Sequence, residues 1–261
     1  MGKLIFIGLG LGSEKGITLK GLEAAKTCDK LFMEDYTSML EEGSFQRLET
    51  LLDKEIILLG RAGVENESQI VGAAENSIVG FLVPGDTMSA TTHVDLRLRA
   101  MEAGIPTKII HGASVFTAIP GLLGLQNYKF GRTITIPLPE PNFHPTSFYE
   151  RALENFKAGM HTLCLLDIKR DKEKFMTANE ALKVLGSIED KLQGGLVPPE
   201  RLVCVVARAG SGDALARAGF FKDMLHEDFG GPLHSIVIPG ELHFLEAKGL
   251  VVLAGAPESI L

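Results

Sequence analysis

Leu4-Ile5-Phe6-Ile7-Gly8-Leu9-Gly10-Leu11-Gly12 is a short apolar run that ends in glycines at every second position. The apolar run predicts a buried strand, and the glycines allow the backbone to approach a flat or anionic ligand closely. A helical pattern follows from about Thr18 to Cys28, and Lys30–Glu34 reads as a second strand. A strand, a helix and a strand in this order predict a crossover unit of a parallel sheet.

The same alternation continues through the first half of the chain. Helices are predicted around Phe45–Leu52 and from about Thr92 onward, and the second helix carries Val94, Leu98 and Met101 on one face. Further strands are predicted at Glu55–Leu59, Ile78–Val83 and Pro106–Ile110. These elements favour a mainly parallel sheet built from βαβ units.

The second half of the chain predicts another α/β unit, with strands at Thr162–Leu166, Leu202–Ala207 and Ser235–Ile238. Two sequences of the capping-box type, Ser147–Glu150 and Thr177–Glu180, predict helix starts, and the second helix should end near Ile188. Prolines at positions 137, 139, 141 and 145 predict an extended surface segment. We therefore expect an α/β protein with two domains, residues 1–112 and 113–261.

The composition narrows the classes of function. The 261 residues carry a formal net charge of −7, with 45% hydrophobic and 23% charged residues, which is typical of a globular protein. The acidic balance and the scattered basic residues argue against a nucleic-acid partner. No apolar run approaches the roughly 20 residues of a membrane-spanning helix, so no membrane partner is expected. Cys28, Cys164 and Cys204 lack the spacing of a disulfide framework or a metal site and predict buried thiols in a reducing cytoplasm.

The glycine-rich turn also invites a dinucleotide-binding interpretation. That fingerprint needs its third glycine one residue later, a helix directly after it, and an acidic residue about 20 positions on. Here Ser13–Gly16 delays the helix, and neither Asp29 nor Glu34 stands out as the acid. A NAD-dependent oxidoreductase therefore remains only an alternative.

Pro84-Gly85-Asp86 is a second turn at the end of a predicted strand. An aspartate there can bind a ribose hydroxyl or a cation, or it can simply close an Asx turn. The segment from Asp86 to His93, Asp-Thr-Met-Ser-Ala-Thr-Thr-His, resembles the matching segment of the diphthine synthases, which lie within the tetrapyrrole-methylase (class III) superfamily. Thr87 departs from the proline that is usual in that family.

The resemblance runs nearly from end to end. It includes Ile7–Leu11, Ile17–Glu23, Glu34–Ser38, Pro145–Tyr149, His161–Lys169, Met176–Ala181, Ala207–Ser211 and Glu227–Gly230. Many ordered matches of this kind are more specific than any glycine pattern.

The resemblance implies a tetrapyrrole-methylase type of fold, with a mixed C-terminal sheet and a cofactor cleft between the two domains. It implies S-adenosyl-L-methionine as the cofactor and S-adenosyl-L-homocysteine as its product. It also implies a cytoplasmic homodimer that methylates the amino group of a 3-amino-3-carboxypropyl-histidine on translation elongation factor 2, giving diphthine. Carried over by position, the cofactor contacts are Leu11, Asp86, Ser89, Ser114, Val115, Leu166, Ala209 and His234.

Each of these positions has a second interpretation. Leu11, Val115 and Leu166 are of a type common in cores, and Ser89 and Ser114 are of a type common at helix caps. Ala209 lies in a glycine-containing turn, and His234 can be a hydrogen-bonded structural histidine.

The residues leave the proton chemistry open. Glu34, Asp35, His93 and Asp167 are candidates for a general base, with capping or surface roles as the alternative for each, and no base is assigned. For the substrate carboxylate, Arg208 and Lys169 are candidates, with solvated surface roles as the alternative for each. Tyr36, Phe116 and Tyr149 are candidates for an aromatic rim around the methylated cation, or for core packing.

Other functions remain to be separated from this one. A tetrapyrrole C-methyltransferase would keep the cofactor and change the substrate, but the segments Ala90–His93 and Met176–Ala181 argue against it. A non-catalytic nucleotide-binding adaptor would show no turnover.

Overall fold

Two five-stranded sheets organise the chain, and each lies in its own unit. The first unit comprises residues 1–115 and 210–212, and the second comprises residues 116–209 and 213–261. The computed structural model describes residues 2–141 and 145–261, so residues 142–144 of the predicted extended segment lie outside the described residues. The α/β class is confirmed, whereas the domain division at residues 112 and 113 remains a prediction.

The first sheet is parallel throughout, as the alternating pattern predicted. Its strand order is β3-β2-β4-β1-β5. In register, Ile7 of the first strand lies between Leu82 and Ile110 of its two neighbours. The strands are β1 Lys3–Gly8, β2 Lys30–Glu34, β3 Ile56–Leu59, β4 Ile78–Val83 and β5 Thr107–Ile110.

Helices cover both faces of this sheet, which is why its strands are apolar on both sides. Leu48 packs with Ile7 in one core cluster, and Ile70 and Leu96 pack with Phe6 in a second cluster on the other face. The helices are α1 Leu19–Thr27, α2 Ser44–Leu52, α3 Arg61–Glu65, α4 Glu67–Ala74 and α5 His93–Glu102.

The strand order places a topological switch point between β1 and β4. From β1 the chain crosses toward β2 on the face covered by α1, and from β4 it crosses toward β5 on the face covered by α5. Open parallel sheets bind ligands beyond the carboxyl ends of the strands at such a point. The segments there are Gly8–Gly12 and Pro84–Asp86.

Glycines let three chain segments pass closely at this end of the sheet. Gly10 and Gly85 exchange two backbone hydrogen bonds of 3.1 and 2.7 Å. A Cβ on Gly8 would lie 2.5 Å from the Gly112 nitrogen, and one on Gly112 would lie 2.4 Å from the Gly85 oxygen. Real Cβ atoms do not approach backbone so closely, so these positions exclude any side chain.

The apolar face predicted for α5 lies on the exposed side of the helix. Val94, Leu98 and Met101 do share one side of the helix, but all three are exposed. The buried side instead carries His93, Leu96 and Ala100. Helical periodicity is compatible with either face being buried. Packing against β4 buries the face with the smaller apolar side chains.

The second sheet is mixed. Its order is β11-β10-β12-β7-β6, with β6 and β7 parallel and the other pairs antiparallel. A separate hairpin pairs β8 with β9. The strands are β6 Ile134–Ile136, β7 Thr162–Leu166, β8 Ile168–Lys169, β9 Lys174–Phe175, β10 Leu202–Ala207, β11 Leu215–Phe220 and β12 His234–Ile238.

The two predicted capping boxes have different outcomes. Thr177 and Glu180 form a complete capping box, with each side chain bonded to the other residue's backbone N–H. The helix that they start runs beyond Ile188 to Leu192. The box predicted at Ser147 is wrong, because Ser147 is already helical and the preceding Thr146 is the N-cap without a side-chain cap bond.

The remaining helices are α6 Val115–Leu123, α7 Ser147–Lys157, α8 Ala178–Leu192, α9 Phe221–Met224 and α10 Phe244–Ala254. Cys28, Cys164 and Cys204 are buried free thiols, as predicted. Burial raises the pKa of Cys28 to about 11. Among residues 2–141 and 145–261, no helix is long and apolar enough to span a bilayer.

Candidate functional site

Asp86 closes the turn that follows β4. Its Oδ1 accepts hydrogen bonds from the Met88 N–H at 3.0 Å and from the Ser89 hydroxyl at 3.4 Å. Its Oδ2 accepts from the Gly112 N–H at 3.2 Å and lies 2.7 Å from Nδ1 of His111. The carboxylate therefore closes an Asx turn and also ties the end of β4 to the end of β5.

These contacts keep Asp86 ionised. Partial burial opposes ionisation, but the hydrogen bonds from Met88, His111 and Gly112 outweigh it and lower the pKa of the Asp86 carboxyl. The side chain keeps 11% of its surface exposed, beside a His111 ring that is 72% exposed. An anchored carboxylate with one open edge can accept a hydrogen bond from a hydroxyl or bind a cation.

Sequence reasoning missed His111. The available signal was its position directly after a predicted strand, but only the strand order shows that β5 ends beside β1 and close to Asp86.

The other predicted contacts of the first unit lie on the segments around Asp86. Leu11 and Val115 are partly exposed, so neither is a buried core side chain. Ser89 is also partly exposed, and Ser114 is buried directly before α6. The bridge between Gly10 and Gly85 brings the Leu11 segment to the Asp86 turn.

A second polar cluster lies next to the same turn, at the carboxyl end of β2. Glu34 and His93 are fully buried, and the Glu34 Oε2 lies 3.5 Å from the His93 Nε2. The Tyr36 hydroxyl also lies 3.5 Å from this nitrogen, and His93 Nδ1 lies 3.0 Å from the Thr87 carbonyl oxygen. Two of the four candidate general bases, Glu34 and His93, are thus neighbours, which their separation in sequence did not reveal.

The three predicted contacts of the second unit lie at one end of its sheet. Leu166 ends β7, His234 begins β12, and Ala209 follows β10. The register pairs Ser235 with Leu165 and His234 with Ala207, so these strand ends are adjacent. Leu166 is also a member of the core cluster of this unit, as its alternative interpretation expected.

His234 is fully hydrogen-bonded within the second unit. Its Nδ1 accepts from the Ala178 N–H at 3.0 Å, so its Nε2 carries the proton and donates to the Gly231 oxygen at 2.8 Å. Burial is the main cause that lowers the pKa of this imidazole. The side chain therefore caps α8, as a structural histidine would.

Several other candidates also have structural bonds. Arg208 donates to the carbonyl oxygens of Phe229 and Gly231 and pairs with Asp213, while Lys169 pairs with Glu140. Asp167 accepts the Leu138 N–H at 3.0 Å.

Tyr149 and Tyr36, two of the three candidates for the aromatic rim around the methylated cation, differ in how exposed their side chains are. Tyr149 is buried and its hydroxyl donates to Glu189 at 2.8 Å, so it belongs to the core. Tyr36 remains partly exposed.

The residues of the first unit suit a ligand such as S-adenosylmethionine. An anchored, ionised carboxylate and a serine hydroxyl lie beside the partly exposed apolar side chains of Leu11 and Val115. The carboxylate and the hydroxyl can bind the ribose and the ammonium group of such a ligand, and the apolar side chains can contact its adenine ring.

Comparison with known proteins identifies the family of the chain. Residues 3–222 match the family described as Tetrapyrrole (Corrin/Porphyrin) Methylases. The chain therefore belongs to the tetrapyrrole methylase family.

Within that family its relatives carry a more specific name. Diphthine synthase of Methanothermobacter thermautotrophicus is 45% identical over 99% of this chain and 98% of the relative. Diphthine synthase of Methanosarcina mazei is 47% identical with the same coverage. A crystal structure of diphthine synthase superposes with a TM-score of 0.89 at 35% identity, over 98% of each chain. The chain is accordingly an S-adenosylmethionine-dependent methyltransferase of the diphthine synthase group, and an oxidoreductase is not favoured.

Proposed function

We propose that this methyltransferase acts on translation elongation factor 2 and methylates the amino group of its 3-amino-3-carboxypropyl-histidine, giving diphthine. The similarity to proteins named diphthine synthase over 99% of the chain is the observation that carries the proposal. A tetrapyrrole substrate is not favoured, because diphthine synthases are 45–47% identical to this chain over 99% of its length.

The proposed cofactor contacts are the eight residues that the resemblance implies. Five lie around the switch point of the first unit, and three lie at one end of the second sheet. Asp86 is the proposed polar anchor, since its carboxylate is fixed by four hydrogen-bonding partners and still exposed at one edge. The five are Leu11, Asp86, Ser89, Ser114 and Val115, and the three are Leu166, Ala209 and His234.

The bound cofactor supplies a methyl group on a positively charged sulfur, which is already activated for displacement. The task of the protein is to hold the amine in line with that methyl group and to keep its nitrogen lone pair free. Positioning of this kind can lower the activation barrier to methyl transfer by about 7–11 kcal/mol. Three successive transfers convert the ammonium of the substrate to a trimethylammonium and release three protons, which the protein must pass to solvent.

We also propose that the enzyme is a cytoplasmic homodimer. Exposed apolar side chains on α10 support a second copy as the partner, because Phe244, Leu245, Val252 and Leu253 are all more than half exposed on a helix of 11 residues. Helices that are apolar on several sides are usually covered.

Mass spectrometry of the elongation factor tests the proposed activity. The factor bearing the aminocarboxypropyl-histidine is incubated with the protein and S-adenosylmethionine, and the modified histidine is located by fragmentation. We expect successive additions of one methyl group up to three on that residue. Absence of any addition would contradict the proposed substrate, and calorimetric binding of S-adenosylmethionine in that case would leave the methyltransferase class standing.

A further inference from the structure

The buried Glu34–His93 pair lacks one proton. The Thr87 carbonyl oxygen only accepts hydrogen bonds, so Nδ1 of His93 carries its proton and donates it there at 3.0 Å. In a neutral ring Nε2 is then an acceptor, and it faces the Glu34 Oε2 at 3.5 Å. The gap between these two facing acceptors holds no hydrogen and can take up one.

Glu34 has no other source for that hydrogen. Its Oε1 accepts from the Thr37 hydroxyl, but Oε2 has no hydrogen-bond partner among the described residues. Glu34 and His93 are both 0% exposed. A buried carboxylate with one unbonded oxygen is incompletely satisfied, so the pair can accept a proton that is delivered to Nε2 of His93. The added proton would make an imidazolium that donates to Thr87 through Nδ1 and to Glu34 through Nε2.

Tyr36 connects this pair to the surface. Its side chain is partly exposed, and its hydroxyl lies 3.5 Å from the same Nε2. Burial, with the Glu34 charge as a second cause, raises the pKa of Tyr36 to about 12, so the hydroxyl keeps its proton at neutral pH. Catalytic hydrogen bonds are often long in ligand-free proteins and shorten in the complex.

The cluster adjoins the proposed cofactor site. Thr87, which fixes the His93 ring, directly follows Asp86 in the turn after β4, and β2 and β4 are adjacent strands whose carboxyl ends meet.

We propose that Glu34 and His93 accept the proton of the substrate amine and that the Tyr36 hydroxyl transmits it; this assignment rests on the proposed function. The ammonium N–H proton passes to the Tyr36 oxygen while the Tyr36 O–H proton passes to His93 Nε2. The freed nitrogen lone pair forms the N–C bond as the C–S bond breaks, and that electron pair stays on sulfur. The proton returns to solvent through Tyr36 before the next transfer.

In these roles Tyr36 contacts the substrate, whereas His93 and Glu34 act through Tyr36 and are positioning residues. Tyr36, His93 and Glu34 are called the relay below. Two other charged groups near it come from α3: Arg61 lies 5.3 Å from the Tyr36 ring centre, and the charge of Glu65 contributes to raising the pKa of the Tyr36 hydroxyl. The α5 and β4 neighbours of His93 add the uncharged Thr92 hydroxyl and the Phe81 ring.

Single-turnover methyl transfer as a function of pH tests the relay. The rate of the first transfer to the elongation factor is measured at saturating S-adenosylmethionine for the wild type, Tyr36→Phe and Glu34→Gln. At neutral pH we expect losses of about 10²–10⁴-fold. The losses should shrink as the pH rises past about 8, where solvent alone deprotonates an α-amino group. Tyr128→Phe, an exposed tyrosine, is the matched control and should keep the wild-type rate at every pH.

The outcomes separate the two proposals. No transfer by the wild type would contradict the proposed function and the relay together. Wild-type transfer with variants that lose nothing, or lose equally at all pH values, would overturn the relay alone. A loss explained by weaker calorimetric binding of S-adenosylmethionine would also overturn it.

A measurement without cofactor or substrate keeps the test independent of activity and of variant folding. In wild-type protein with ¹⁵N-labelled histidine, NMR at neutral pH should show His93 with a protonated Nδ1 and an Nε2 that carries no hydrogen. A hydrogen on Nε2 would overturn the assignment.

Discussion

At the scale of single residues, hydrogen bonds distinguish functional candidates from structural ones. Asp86 is held by four partners and still has an exposed edge, whereas both ring nitrogens of His234 are occupied by backbone groups. Residue type alone could not separate these cases, because both kinds of side chain are equally able to bind a ligand or a neighbouring backbone.

Asp86→Asn should weaken binding of S-adenosylmethionine about tenfold to a hundredfold, because hydrogen bonds to a charged group contribute about 1.5–3 kcal/mol. Isothermal calorimetry measures the dissociation constant directly. Asp190→Asn, at an exposed position of α8, is the control. Equal affinity in wild type and Asp86→Asn would remove Asp86 from the proposed site.

A second residue-scale prediction concerns a buried charge cluster in the second unit. Glu246 is 0% exposed and accepts hydrogen bonds from His161 Nε2, the Gln126 N–H, the His243 N–H and the Lys129 ammonium. Glu246→Gln should lower the free energy of unfolding by about 3 kcal/mol, since it breaks a buried ion pair. Urea unfolding followed by circular dichroism measures the change, with exposed Glu258→Gln as control. A change below about 0.5 kcal/mol would be typical of a surface site and would contradict the prediction.

The same cluster predicts an acid dependence. Burial of Glu246 opposes ionisation, but Lys129 and the backbone N–H groups prevail and lower its pKa to about 2. The stabilisation is therefore present above the unfolded value of about 4.3 and is lost as pH falls toward the folded value. The stability gap between wild type and Glu246→Gln should close over this interval in urea melts. A gap that stays constant down to about pH 2 would mean that another group carries the effect.

At the scale of elements, two helix starts show when a local sequence pattern is sufficient to predict a capping box. The Thr177–Glu180 pattern formed its predicted capping box, but the similar pattern at Ser147 did not, because that helix begins after Thr146. A capping box needs its first residue outside the helix, and the four-residue pattern alone does not determine where the chain enters the helical conformation.

Thr177→Ala should therefore destabilise the protein by about 1 kcal/mol. Thr146→Ala is the matched control, because the Thr146 side chain at its N-cap makes no hydrogen bond to the helix backbone. Urea unfolding of the two variants measures this, and the midpoint of Thr177→Ala should be the lower one. Equal midpoints would argue against a stabilising role for the Thr177 cap.

The close glycine packing at the switch point gives a second element-scale prediction. Gly112→Ala should cost more than about 2 kcal/mol, because its Cβ would meet backbone atoms that cannot move independently. Gly72→Ala, in α4 with open space around it, should instead stabilise by up to about 1 kcal/mol. Thermal unfolding of both variants measures whether their stabilities change in opposite directions. A Gly112→Ala variant that is more stable than the wild type would contradict the close packing.

At the scale of the whole molecule, the proposed homodimer leads to a prediction about mass in solution. Val252→Glu combined with Leu253→Glu should convert a dimer to a monomer, because two charges would replace apolar surface on α10. Light scattering after size-exclusion chromatography reports the mass. Leu192→Glu, another exposed apolar position, is the control, and a wild-type monomer would contradict the homodimer.

The fold class follows from the sequence to a large extent. Strand and helix periodicity predicted the parallel first sheet, and the ordered motifs indicated the family that the comparisons then showed. The turn at Asp86 was also visible as a proline, a glycine and an acid after a strand. These features depend on local conformation, which neighbouring residues in the chain largely determine.

Only the tertiary structure decided which side chains meet. It paired Glu34 with His93, brought His111 to Asp86, buried His93 rather than Val94 on α5, and used His234 to cap α8. Each of these contacts joins residues on different elements or depends on how one element packs against another. The periodicity of a segment cannot specify them, because strand order and helix rotation determine which residues approach one another.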